Sequence, residues 1–239
     1  MKNIALITVL FDYPNSYTPL FYKNALNFFD KNDIHVIRHN NLFKGDSYYD
    51  KLYFYKVVML LEYIKNNIIN NYDYILFLDA TDTNFYSSPK DIVDKFKEKN
   101  CSIIMGAEKC LWPPNSFTHL YNKKNITSEY KYLNSGTYFG YVDKIIFHLE
   151  KIIKEVYDTG IDDQGKWSIE YLLHDDILID YNCEFFMSSL NSKKNIELNN
   201  NKVKINGYDP IIVHDNGPFN EDTIKIADKL WNMCIVLLL

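Results

Sequence analysis

The chain is short of several things. Arg38 is its only arginine, so bidentate guanidinium contacts to bases or phosphates are nearly unavailable. The lysines are scattered, and the formal net charge is −5 with a pI of about 5.7. A nucleic-acid binder needs a basic face, and that class is excluded. Cysteines number 4, at Cys101, Cys110, Cys183 and Cys234. None share a C-x-x-C or other metal-type spacing, and at this length four are too few for a disulfide scaffold. Cys101 lies in an apolar run and is expected to be a buried small hydrophobe. No apolar run reaches the roughly 18 residues of a membrane span. Met1 to Phe11 leads straight into a strand pattern without the features of a signal peptide, which makes the cytoplasm the default compartment. The apolar Cys234–Leu239 is too short to span. With 8 Gly, 7 Pro and no sustained heptads, collagen-like and coiled-coil chains are excluded as well.

What is there is core material. Of 239 residues, 47% are hydrophobic and 16% aromatic, so disorder is excluded as the main state. One domain over residues 1–239 is expected. The 20 Tyr, like the abundant Asn, Lys and Ile, reflect AT-rich coding.

Asn3–Leu10, Ile34–Arg38, Tyr74–Leu78 and Cys101–Met105 read as strands, the first and third as continuous apolar runs typical of buried parallel strands. Between them lie helical patterns at Thr18–Phe29, at Asp50–Ile69 (Leu52, Tyr55, Val58, Met59, Glu62 and Tyr63 on one side, Asp50 as cap) and from Ser88-Pro89 to Lys97. Phe11–Tyr17 and Asn40–Tyr49, with Gly45, read as loops. The alternation β-α-β-α-β-α-β predicts an open, mostly parallel sheet flanked by helices, with ligands at the carboxyl ends of its strands. In the second half, Trp112-Pro113-Pro114 breaks the chain. Asn115–Lys131 reads as a mobile loop, a lid that orders on binding. Leu133–Val142 is a strand kinked at Gly136. Asp143–Tyr157, Asp162–Leu173 and Thr223–Trp231 are helices, the first with Ile145, Ile146, Leu149, Ile152, Ile153 and Val156 inward. Ile177–Asp180 and Glu184–Met187 are short strands, and Lys202–Ile205 and Pro210–His214 frame an Asn206-Gly207 turn. Asn199–Asn201 is the single low-complexity tract.

Five groups carry chemistry. Asp79 and Asp82 follow the apolar strand YILFL. Two carboxylates at a buried strand's mouth repel one another unless a cation lies between them. Mn²⁺ or Mg²⁺ suits that place and leaves room for phosphate; a solvated strand-end turn is the plain alternative. Asp162-Asp163-Gln164 opens a helix, where acids gain from the helix dipole. They either cap it or stand beside a sugar. His214-Asp215-Asn216-Gly217-Pro218 ends an apolar run. His214 can ligate a metal through a neutral nitrogen, Gly217 can let the backbone approach a phosphate, and a polar turn would look the same. Trp112, beside two prolines, is either a fixed indole that stacks on a sugar or a core tryptophan. In Leu133-Asn134-Ser135-Gly136, Asn134 can bond a sugar hydroxyl and Gly136 can clear space for it.

The order of these words along the chain resembles one family. FLDATD, AEKCLWP, YLNSGTYFGY, DDQ and HDNGP are similar to the glycosyltransferase domain of the procollagen lysyl hydroxylase/glucosyltransferase family. That domain is also found as a stand-alone collagen galactosylhydroxylysyl glucosyltransferase in giant viruses. The resemblance runs from about Ile4 to Pro218 and implies a GT-A fold, a UDP-glucose donor and Mn²⁺. It implies Asp79, Asp82 and His214 as metal ligands and Thr8, at the end of the first strand, under the uridine. Lys56 and Gly217 would lie near the donor, Trp112 would line the sugar pocket, and Asn134, Asp162 and Asp163 would face donor sugar and acceptor. The implied reaction moves glucose to galactosyl-hydroxylysine of a collagen-like protein with retention. The alternatives are a UDP-galactose-dependent hydroxylysine galactosyltransferase and a non-catalytic module that binds a sugar nucleotide or glycan. A nucleotidyltransferase ranks last, because Thr8–Ser16 holds no Gly- and Lys-rich phosphate loop. Two departures from the family matter. Thr81 stands where many members have an aromatic that could stack on uracil. The hydroxylase domain has no counterpart in these residues, so glycosylation without hydroxylation is expected.

Overall fold

A computed structural model describes residues 3–11, 14, 16–39, 48–114, 117–159, 162–189, 196–199 and 202–216. The expectations for Asn40–Ser47 with Gly45, for Gly217-Pro218, for Thr223–Trp231 and for Cys234–Leu239 lie outside the described residues. So do the side chains of Leu52 and Val156.

Alternate residues of a strand point to opposite faces, and here both faces are covered. From strands β1 (Ile4–Phe11), β3 (Tyr74–Leu78), β5 (Ile103–Glu108) and β6 (Tyr132–Tyr141), one face presents Ala5, Ile7, Ile75, Phe77, Ile103, Met105 and Tyr138. These join Val57, Leu60, Leu149, Ile152 and Trp167, which come from helices α2 (Tyr48–Tyr63), α5 (Val142–Thr159) and α6 (Asp163–Leu173). The opposite face presents Ile4, Leu6, Tyr74, Leu76, Leu78, Ile104 and Phe139. These join Phe21, Ala25 and Phe29 around α1 (Tyr22–Ala25), and Ile92 and Phe96 of α3 (Ile92–Glu98). That double coverage is why the strands read as unbroken apolar runs.

With β2 (Ile34–His39) and β7 (Ile177–Ile179), these strands form a six-stranded sheet in the order β2-β1-β3-β6-β5-β7. β1 runs parallel to β2 and β3, and β5 to β7, while β6 is antiparallel to both of its neighbours. The sheet is mostly parallel, as expected, but β5 does not lie beside β3, because β6 inserts between them. Aromatic cross-strand contacts hold that insertion: Tyr138 stacks on Phe77 at 4.7 Å and Phe139 on Tyr74 at 5.4 Å between centroids. A second sheet pairs β11 (Ile212–His214) antiparallel to β4 (Thr83–Phe85) and parallel to β8 (Phe186–Ser188).

Several expected boundaries move. Thr18–Phe29 is helical only over Tyr22–Ala25, although Phe21, Ala25 and Phe29 do point inward. Asp50 lies inside α2 and does not cap it, and the helix ends in a π-turn over Ile64–Ile68. Its buried side is Val57, Leu60, Leu61, Ile64 and Ile68, while Glu62 is exposed. The helix is apolar nearly all round, so its spacing identified the element but not the inward face. Ser88-Pro89 precedes α3 in a turn closed by Ile92 N–H on Pro89 O at 3.0 Å. Cys101 is half-buried just before β5. Cys101, Cys110 and Cys183 form no disulfide. Asn115–Lys131 is not simply loop. It carries α4 (Thr118–Lys123) and packs through the buried Tyr121 and Tyr130, which corrects the reading of the segment as loop throughout. Asn206 and Gly207 both take positive φ, 53° and 84°, in the expected two-residue turn. That turn closes on Ile205 and Tyr208. However, β10 (Lys202–Ile205) pairs with β9 (Ile196–Asn199), not with β11. Among the described residues no helix is long and apolar enough to cross a membrane.

Candidate active site

The site forms where three strand ends meet a helix start. β3 ends at Leu78, and the Asp79 N–H bonds Gly136 O at 2.8 Å. The chain then turns through Asp82 into β4. The β4–β11 ladder puts His214 opposite Thr83, and Asp215 N–H closes on Asp82 O at 2.7 Å. A backbone ladder thus delivers residue 214 to residue 82. His214 Nε2 lies 3.3 Å from Asp82 Oδ2 and 3.8 Å from Asp79 Oδ2.

β6 supplies the room. Its pairing with β5 jumps from Met105↔Tyr138 to Gly106↔Asn134, so Ser135–Thr137 bulges beside the end of β3. A Cβ on Gly136 would fall 2.2 Å from His214 Cε1 and 2.7 Å from Asp79 Oδ2. Glycine is required here to let the imidazole and carboxylate in.

His214 is oriented from behind. Its Nδ1 lies 2.8 Å from Asn134 Oδ1, which also accepts Gly136 N–H at 3.0 Å. Nδ1 therefore carries a proton, and Nε2 is the nitrogen that faces the two aspartates, protonated in the metal-free protein and free to take a cation once that proton leaves. Asn134 donates to Gln164 Oε1 at 3.4 Å, which also accepts Ser135 N–H at 3.2 Å. Asn134 lines the cleft, and its amide oxygen holds His214 and the bulge.

The helix side is built by capping, as expected. The Asp162 carboxylate accepts Gly165 N–H at 2.8 Å at the N-terminus of α6. It also accepts the Trp112 indole N–H. Trp112 is 51% exposed and lines the cleft, so it is the cleft-side indole; among the described residues the core tryptophan is Trp167. Asp163, the next residue, pairs with Lys56 at 2.9 Å, and Lys56 reaches Asp79 at 3.0 Å. One ammonium from α2 thus ties the end of β3 to the start of α6.

These groups line a cleft of about 370 Å³ holding the carboxylates of Asp79, Asp82, Glu108, Asp162 and Asp163 against Lys56 and His214. Burial raises the Asp79, Glu108 and Asp162 carboxyls. Burial also works against charge on Asp82, Lys56 and His214, but their partners win. His214 holds Asp82 below the usual carboxylate range. Asp163 and Asp79 raise Lys56 further. Asp82 lifts His214 to about 9. The Oδ1 of Asp82 is buried with no hydrogen-bond partner, and one ligand atom from each of Asp79, Asp82 and His214 lies within 4.8 Å of the others. An orphaned carboxylate oxygen inside an acid-rich cluster with one imidazole fits a divalent cation.

Not every predicted residue arrives at the cleft. β1 runs on to Phe11, so Thr8 lies inside the strand, not at its end. It is fully buried, and its Oγ1 has no hydrogen-bond partner. Gly217 lies outside the described residues. Sequence reasoning quoted Glu108, Gln164 and Asn216 within motifs and assigned them no role. Glu108 is 2% exposed and accepts from Gln164 and, at 2.7 Å, from Asn216. The available signal was a lone acid closing an apolar strand.

The fold is that of a glycosyltransferase. Over 95% of its length the chain superposes on 99% of a glycosyltransferase involved in the glycosylation of the major capsid of PBCV-1, with a TM-score of 0.56 at 9% identity. The PLOD GT domain profile matches residues 2–230, and the chain belongs to that family. An uncharacterized protein of Acanthamoeba polyphaga mimivirus is 31% identical over 168 residues, 68% of this chain and 34% of that protein. The multifunctional procollagen lysine hydroxylase and glycosyltransferase LH3 of Rattus norvegicus is 27% identical over 156 residues, 60% of this chain and 20% of that protein. Human procollagen-lysine,2-oxoglutarate 5-dioxygenase 1 is 25% identical over 157 residues, 21% of its length. The chain thus spans about a third or less of the curated relatives it matches.

Proposed function

We propose that this glycosyltransferase is metal-dependent and moves glucose from UDP-glucose to galactosyl-hydroxylysine of a collagen-like protein, with retention. The observation that carries the reading is the Asp79–Asp82–His214 cluster, with its orphaned carboxylate oxygen, at the floor of a cleft rimmed by Trp112 and Asp162. Asp79, Asp82 and His214 would hold Mn²⁺, or Mg²⁺ in its place. When bound, the cation supplies charge neutralisation for the departing diphosphate. A dianionic donor would otherwise meet five carboxylates and one lysine.

The chain's own groups do the rest. Asn134 holds His214 in the tautomer that offers Nε2. Lys56 keeps Asp79 and Asp163 apart in charge and lies where the diphosphate enters. Trp112, pinned by Asp162, offers its ring face to the sugar and excludes water. Asp162 and Asp163 stand beside the reacting carbon, where one orients the acceptor hydroxyl and the other stabilises positive charge developing on the sugar ring. The acceptor is read from the family, which includes the procollagen lysine hydroxylase and glycosyltransferase LH3. The resemblance to the family carries Gly217 to the phosphate side and Thr8 under the uridine, although Thr8 is buried inside β1.

A screen of UDP-sugars with galactosyl-hydroxylysine and hydroxylysine collagen peptides tests this. Glucose transfer to the galactosylated peptide is expected. Transfer of galactose to bare hydroxylysine would replace the specificity, and UDP binding without turnover of any donor would reduce the chain to a binding module.

A further inference from the structure

We propose that His148, Glu170 and His174 form a zinc site that staples α5 to α6, away from the cleft. Glu170 and His174 are four residues apart on α6 and share one face, while His148 reaches across from α5. The side chains of His148 and Glu170 are 0% and 2% exposed. His148 Nδ1 lies 2.6 Å from Glu170 Oε2, and the same oxygen is 3.5 Å from His174 Nε2. One ligand atom from each residue lies within 4.8 Å of the other two. Zinc ligands at about 2.0–2.1 Å from the ion stand about 3.3 Å apart in a tetrahedron, so His148 and Glu170, at 2.6 Å, must give up their hydrogen bond and part slightly, while His174, at 3.5 Å from the same oxygen, is nearly in place for a third position. Two imidazoles and one carboxylate form a donor set suited to Zn²⁺ and poorly suited to Mg²⁺, which prefers oxygen.

The far side of His148 supports the assignment. Its Nε2 is buried with no hydrogen-bond partner, and it faces Asp176 Oδ1 at 3.7 Å. A metal on Nδ1 fixes the proton on Nε2 and directs it at that carboxylate, the usual outer arrangement for a ligating histidine. At the open side, Lys151 Nζ stands 2.8 Å from His174 Nε2. Lys151 guards the entry and must swing out for the ion to bind. The consequence is architectural: α6 begins at Asp162-Asp163, so a staple near its C-terminal end fixes the helix that presents these acids to the cleft.

The test uses the full chain carrying Asp79→Asn and Asp82→Asn, so that the cleft does not take up the ion. Calorimetric titration with Zn²⁺, backed by Co²⁺ absorption, is expected to show one ion per chain at micromolar affinity or tighter. Adding His174→Ala should weaken binding at least about tenfold, and adding Lys151→Met should strengthen it. Absence of saturable uptake, or uptake unchanged by His174→Ala, overturns the site. If circular dichroism shows that His174→Ala unfolds the chain, Lys151→Met decides, and unchanged or weaker binding there overturns it. None of these outcomes bears on the transferase reading, whose ligands are already removed.

Discussion

Among the described residues two clusters set imidazole against carboxylate, and their surroundings differ in kind. At the strand ends, His214 meets two aspartates whose side chains are 24–30% exposed, in a cleft. Between the helices, His148 meets Glu170 on one side, both sealed from solvent, and Asp176 on the other. The first is rich in oxygen and leaves room for a phosphate; the second is rich in nitrogen and closed by Lys151. Ligand chemistry selects the ion and position selects the task. Strand ends are where open α/β sheets bind their ligands, while a helix–helix seam holds two elements of the scaffold together.

The largest effect expected in testing that contrast belongs to the cleft. A cation worth several kcal/mol to the leaving group corresponds to about 10³-fold in rate. Asp82→Ala should therefore cost transfer about that much, whereas His174→Ala should leave it within about tenfold; steady-state kinetics on both variants compare them directly. Lys56→Met should act on stability. It leaves Asp163, 5% exposed, and Asp79 without their shared cation, and breaking such a pair costs about 3–5 kcal/mol. Denaturant unfolding would reveal it, with Lys56→Arg milder. In metal-free protein His214 is lifted to about 9 from 6.5. Its pairing with Asp82 then contributes stability fully below pH 6.5 and loses it as pH rises through 9. Melting temperature should fall across that window in the wild type and stay flatter in His214→Asn. The smallest effect is that of Trp112→Ala, half-exposed and without a core role. It should raise KM about tenfold and leave the fold intact.

The same contrast explains what could be read from residues alone. β1, β3 and β5 were legible because burial on both faces leaves unbroken apolar runs. The insertion of β6 between β3 and β5 was not, because strand order is set by contacts far apart in sequence, such as Phe77 with Tyr138. Asp79, Asp82 and His214 stood out as polar residues closing apolar runs and by their resemblance to a family. Glu108, Gln164 and Asn216 did not, since an amide–carboxylate network spanning 56 and 108 residues has no local pattern. Gly136 was seen as a kink, but the imidazole that needs the space arrives from 78 residues later, through the β4–β11 ladder. Helix α1 was overcalled because its apolar spacing is kept by successive turns around Phe21, Ala25 and Phe29.

The central claim is that Asp79, Asp82 and His214 hold the cation on which sugar transfer depends. The most direct test is UDP release from UDP-glucose in the presence of galactosyl-hydroxylysine peptide, with and without Mn²⁺, in the wild type and in Asp79→Ala. The account predicts metal-dependent release in the wild type and near-background release in the variant. Equal release without metal, or unchanged turnover in Asp79→Ala, would contradict it.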